Sequence, residues 1–173
     1  MQAPNDLGLR RRGWQYQWIL YVVLALFGGL LTFAGARAQQ KATDDSTFRK
    51  LTDDYCAAWS SRNTANVAKY YAKDSGLVFY DLAPFSYHGW SEYEVGVKKE
   101  FMEGSSSLVL TAGKDLKVTR RGNVAWTTVP MHLIDKTKEG KTIEMDVRYT
   151  GIWEKRGKNW LLVHEHLSAP LKD

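Results

Sequence analysis

"RYTGIWEKRGKNWLLVHEHLSAP", Arg148 to Pro170, decides how the chain is read. It holds two runs rich in β-branched, aromatic and leucine residues, broken by Arg156-Gly157, the pattern of two strands joined by a tight turn. The second run carries His164 and His166, two of only four histidines in the chain. Strand alternation sends both to one face with Leu162, about 6–7 Å apart, and sends Leu161, Val163 and Leu167 to the other. Apolar residues on both faces predict that both are covered, one by helices and one by a second subunit.

Upstream, "SSLVLTAG", "DLKVTRRG", "NVAWTTVPMHLID" and "TIEMDVRYTGIWEK" read as further strands, with turns at Gly113, Arg121-Gly122 and Glu139-Gly140. Pro130 has no N–H for a ladder and marks an edge or a bulge. Helices precede them. Phe48, Leu51, Tyr55, Ala58 and Trp59 form one apolar stripe of an amphipathic helix. Asn63 caps a second helix, "TANVAKYYA", and "LVFYDLAP" is a short strand. "HGWSEYEVGVKKEFMEG" is a third helix, with Ser91 and Glu94 spaced as a capping box and Gly104 as a stop. Three helices followed by an antiparallel meander predict an α+β domain over residues 46–171. A strongly curved sheet wrapped around helices forms a cone, and a cone makes a pocket.

The N-terminus is a separate object. Arg10, Arg11 and Arg12 precede an apolar run, and no charge occurs from Gly13 to Ala36. With Ala36-Arg37-Ala38 as a small-x-small site, residues 1–38 read as a signal peptide, and 39–45 as a polar linker. The alternative is an uncleaved membrane anchor, and both readings export the domain. The formal charge of +5 falls to +2 when the four arginines and one aspartate of residues 1–38 are removed. Basicity therefore belongs mostly to the leader, and no nucleic-acid partner is implied. Cys56 is alone, so no internal disulfide forms; its apolar surroundings suit a small buried side chain.

Two stretches carry a family resemblance. "DDYCAAWSSRNTANVAKYYAKDSGLVFYDLAP" is similar to the entry of the nuclear transport factor 2-like superfamily, where two helices lead to a strand ending in an acid and a proline. "RYTGIWEKRGKNWLLVHEHLSAP" is similar to its closing hairpin. SnoaL-like proteins, ketosteroid isomerases, scytalone dehydratases and the calcium/calmodulin-dependent kinase II association domain share that fold. The resemblance implies the cone-shaped sheet and a homodimer through its face. It also implies that Asp81 resembles the isomerases' general base and Tyr55 their oxyanion donor. Their second, protonated aspartic acid should fall near Tyr149 or Thr150 and is absent.

The remaining candidates follow from residue chemistry. His164 and His166 titrate near neutrality and suit acid–base work if they face the cone. Arg148 and Thr150 share a face of the neighbouring strand, where an arginine implies an anionic or oxygen-rich ligand, or Asp81 as its partner. Trp59, Tyr80 and Trp126 are apolar lining. His132 with the His164/His166 pair would be the raw material of a three-histidine zinc site, but no carboxylate or cysteine sits at a diagnostic spacing. No metal or cofactor is expected. The sequence thus points to an exported SnoaL-like domain that binds a small, partly apolar molecule bearing an oxygen or carboxylate. Either it catalyses cofactor-free proton transfer (isomerase, cyclase or dehydratase type), or it is a non-catalytic binding or assembly module.

Overall fold

A computed structural model describes residues 12–171, with side chains from residue 36 onward. The chain divides into two units at the Thr43–Asp44 step. The leader, residues 1–38, lies almost wholly outside the described side chains. Among the described residues no helix is long and apolar enough to cross a membrane. Residues 39–45, expected as a linker, are helical and belong to α1, Arg12–Ser60.

Within the second unit the predicted apolar stripe is the buried face of α1. Phe48, Tyr55, Ala58 and Trp59 are buried there, with Cys56 beside them as a free thiol. The helix stops where Arg62 takes a positive φ of 51°. Asn63 then caps α2 (Thr64–Val67), its side chain accepting the Ala65 N–H at 2.9 Å. A 3₁₀ turn, Ala68–Tyr70, leads on to Tyr71.

The strand expected over "LVFYDLAP" is shorter. Only β1, Val78–Phe79, pairs with β2, Tyr87–His88, and Tyr80 then bridges to the last strand instead. The third helix is α3, Gly89–Val97, extended by a π turn, Lys98–Met102. The capping box is not used. His88 is the N-cap, its N–H bonded by the Glu92 carboxylate at 3.0 Å, while Glu94 accepts from Trp90 Nε1.

The meander comprises β3 (Ser105–Ala112), β4 (Lys117–Arg121), β5 (Val124–Thr137), β6 (Thr142–Arg156) and β7 (Asn159–Ser168). All pairs are antiparallel, in the order β3-β5-β6-β7, with β4 also on β5. Strand β5 serves two neighbours on one side: Val124–Thr128 pair with β4 and Met131–Thr137 with β3. Pro130 sits at the changeover, where a missing N–H costs no ladder bond, and its carbonyl accepts the Gly113 N–H at 2.8 Å. It is thus neither an edge nor a bulge.

Register shifts fall in β3, where Ser106 is extra, and in β7. Ile152 pairs with His164 but Trp153 pairs with Leu162, leaving Val163 as an extra residue. Leu162 and Glu165 consequently face the helices together.

Aromatic rings fill the space between helices and sheet. Trp153, Tyr55, Tyr71, Tyr93, Tyr149, Phe48 and Phe79 are all fully buried. Phe48 meets Trp153 edge-on, and Tyr93 stacks on Phe79. At Gly96 on α3, an added Cβ would lie 2.1 Å from the Tyr87 ring. Alanine normally favours a helix over glycine by about 1 kcal/mol. Here the buried ring must move, so Gly96→Ala is expected to destabilise the domain by about 1–3 kcal/mol, read as a lowered thermal midpoint.

Candidate active site

Three tyrosines from three separate elements converge on one acid. Tyr55 of α1 donates to Glu165 Oε2 at 2.8 Å, and Tyr71 donates to Oε1 at 2.7 Å. Tyr93 of α3 also contacts Oε1, and its hydroxyl lies 2.8 Å from Asp81 Oδ2. Asp81 reaches this place because alternation from the buried Phe79 turns Tyr80 outward and Asp81 inward. Its Oδ1 accepts the Leu82 N–H at 2.7 Å.

The two acids sit in a poor medium for charge. Burial, then the nearby Asp81, pushes the Glu165 carboxyl up to about 7, although the three tyrosines pull the other way. Burial likewise raises the Asp81 carboxyl against the bonds from Leu82 and Tyr93. An ordinary glutamate, as in the unfolded chain, titrates at 4.5. Between that pH and about 7 the unfolded chain releases a proton that the folded one keeps, so rising pH favours unfolding across this window. The thermal midpoint of the wild type is expected to fall more steeply from pH 4.5 to 7 than that of Glu165→Gln.

Asp81, Tyr93 and Tyr55 form the polar wall of a cavity of about 40 Å³. Trp59 and several leucines, Leu108 and Leu110 among them, make the rest apolar. The space suits water or a small fragment. Asp81, Leu82 and Leu167 also line a surface cleft floored by Pro84, Phe85 and His166. Asp81 therefore stands between an inner cavity and an outer cleft.

Of the residues singled out in the sequence, Asp81, Tyr55 and Trp59 meet at this cavity. The others lie on the opposite face of the sheet. On β5 the buried set is Ala125, Thr127, Val129 and Met131, which turns Trp126 and His132 outward. On β6 the buried Val147, Tyr149, Gly151 and Trp153 do the same to Arg148 and Thr150. His132 instead bonds Asp146 at 2.8 Å and Glu144 at 3.2 Å at the surface, which raises its imidazole.

The histidine pair needs a correction. The Val163 bulge shifts the alternation by one, so His164 and His166 do not share a face with Leu162. His164 Nδ1 meets the Val78 carbonyl at 2.7 Å, and both rings pack edge-on against Tyr80, which is itself turned out. Among the described residues no group of three or more histidine, cysteine or acidic side chains is placed to hold a metal ion. His166→Ala is expected to leave turnover at the wild-type level, checked beside Asp81→Asn in one assay.

Glu165, Tyr71 and Tyr93 were not singled out in the sequence. Trp90, Tyr93 and Val97 are spaced as an apolar stripe on α3, so the position of Tyr93 was readable. Glu165 lies between two histidines in an alternating run and reads as outward unless the bulge is known.

The SnoaL-like domain profile matches residues 49–172. This chain belongs to the SnoaL-like domain family. Solved structures agree on the fold. A nuclear transport factor 2-like superfamily protein from Salmonella enterica serovar Typhimurium is 19% identical, with a TM-score of 0.69, covering 76% of this chain and 94% of its own. A putative dehydratase of the same superfamily from Streptomyces avermitilis is 14% identical, with a TM-score of 0.67 over 76% and 99%. A putative calcium/calmodulin-dependent protein kinase II association domain from Xanthomonas campestris is 23% identical, with a TM-score of 0.61 over 72% and 86%. Curated protein sequences give no match. This SnoaL-like domain thus has the curved-sheet, three-helix architecture of the nuclear transport factor 2-like superfamily.

Proposed function

We propose that this SnoaL-like domain binds a small, mostly apolar molecule carrying one oxygen function and moves a proton on it without a cofactor. Asp81 is the group that takes and returns the proton. Tyr55 and Tyr93 share the polar wall with Asp81 and hold the acids in place, their own hydrogens being directed at the carboxyls. The observation that carries this reading is Asp81 itself, an acid with raised affinity for its proton on the wall of an otherwise apolar cavity. The likeness to a putative dehydratase supports the same class of chemistry.

The test begins with native mass spectrometry of the purified full-length chain, to identify a co-purifying molecule. Leu133→Phe, which fills the cavity from β5, should abolish its capture. Capture that survives filling would place the ligand elsewhere. The residues 1–38 export reading belongs to the same proposal, and N-terminal sequencing of the exported protein would show whether cleavage follows Ala38.

A second reading, assembly through the outer sheet face, draws on Val124 and Trp126, which remain 41% and 36% exposed there. Trp126→Asp would dissociate such a dimer in sedimentation and leave the cavity untouched.

A further inference from the structure

Resting on the reading of Asp81 as the proton-transfer group, we infer that Asp81 and Glu165 share a single proton through Tyr93. Glu165 is then a positioning residue that sets whether Asp81 faces the cavity as a base or as an acid. The ground is a count of hydrogens. Tyr93 Oη lies within hydrogen-bonding reach of both Asp81 Oδ2 and Glu165 Oε1. A phenol has one hydrogen to donate, so it can serve only one of the two. With both acids ionised, the other contact would set an oxygen lone pair against a buried carboxylate, which is strongly unfavourable.

One proton on either acid removes the conflict. With the proton on Glu165, Glu165 donates to Tyr93 and Tyr93 donates to Asp81, which faces the cavity as a carboxylate. With the proton on Asp81, the same chain runs in reverse and Asp81 faces the cavity as an acid. Passage between the two moves one proton across each contact. One O–H bond breaks and one forms at each step, Tyr93 ends as it began, and the net charge is unchanged.

The surroundings supply phenol hydrogens but no cation among the described residues. Tyr55 from α1 and Tyr71 already direct their hydrogens at Glu165. Tyr149 of β6 adds a further phenol close enough to feel the charge on Glu165. The flanking histidines of β7 face the other side of the sheet, and among the described residues no cation pairs with Glu165 or Asp81. Two neighbouring acids, Glu165 buried and Asp81 half-buried, hold a proton without a cation more tightly than either would alone.

A group that changes from base to acid without any change in net charge suits a reaction that takes a proton from carbon and gives one to oxygen. The substrate class is therefore a small hydroxy or oxo compound, dehydrated or shifted in its double bond.

The test is infrared difference spectroscopy of the full-length chain across a pH titration, with ¹³C-labelled aspartate and Asp81→Asn assigning the bands. The wild type should retain one protonated carboxyl from the pair up to about pH 7 and lose its protons in two coupled steps. Glu165→Gln should lower the Asp81 midpoint by about one pH unit or more. Tyr93→Phe, which removes only the hydroxyl, should make the two acids titrate independently. Wild-type acids that ionise together in the ordinary carboxylate range would overturn the inference, as would an Asp81 curve identical in all three chains. The wild-type curve stands whether or not a variant folds. None of these measurements needs a substrate. Uncoupled acids would sink the shared proton while leaving Asp81 to the turnover assay, and coupled acids with turnover indifferent to Asp81→Asn would sink the base alone.

Discussion

Turnover is expected to fall about 10²–10⁴-fold in Asp81→Asn, the range for removal of a positioned acid–base group. The fold should be retained, because asparagine keeps the shape and the contacts. Its carbonyl still accepts the Leu82 N–H that now binds Asp81 Oδ1 at 2.7 Å. Its amide donates to the Tyr93 hydroxyl, which then turns its own hydrogen to Glu165. The variant therefore deletes the basicity of one group and leaves the cavity wall intact. The check pairs kcat/KM on the identified ligand with a thermal melt. Lost turnover beside an unchanged melt supports the assignment. Undiminished turnover would remove Asp81 from the chemistry and leave a binding module.

Stability should suffer most in Glu165→Ala, by about 3–5 kcal/mol in denaturant unfolding. The side chain is fully buried and receives the hydroxyls of Tyr55, Tyr71 and Tyr93. Its removal leaves buried donors without an acceptor, at about 1–3 kcal/mol each, and opens a cavity besides. Part of this is offset because a costly buried carboxylate also disappears. Tyr55 and Tyr71 could recover some of the rest by bonding each other, since their hydroxyls are already 3.3 Å apart. A loss below about 1 kcal/mol would mean that burying the acid costs nearly as much as its three bonds return.

The fold was legible because its signals are local and redundant. The stripe from Phe48 to Trp59, the cap at Asn63, the turn glycines and the five alternating runs each point to one element, and together to one architecture. The site was legible only where a residue sits on a regular element. Tyr55 and Trp59 follow from helical spacing, and Asp81 from its place at the end of a short strand and from the family resemblance. The β5 and β6 candidates show a different limit: Trp126, His132, Arg148 and Thr150 sit in runs whose alternation does not say which set is inside. The helices answer that, through long-range contacts such as Phe48 on Trp153. Glu165 was hidden for a third reason. One extra residue, Val163, resets the parity of β7, and it is an ordinary valine in an ordinary strand.

That extra residue has a genetic consequence. Val163 shares with His164 the outward position that one residue of β6 faces, so β7 carries a codon of slack at this point. A relative lacking the codon could keep its buried acid in place with a spacing of two after the leucine, where this chain has three between Leu162 and Glu165. A gap of one in an alignment at position 163 would then mark conservation of the site, whereas an ungapped alignment would set this glutamate against a residue of the opposite face.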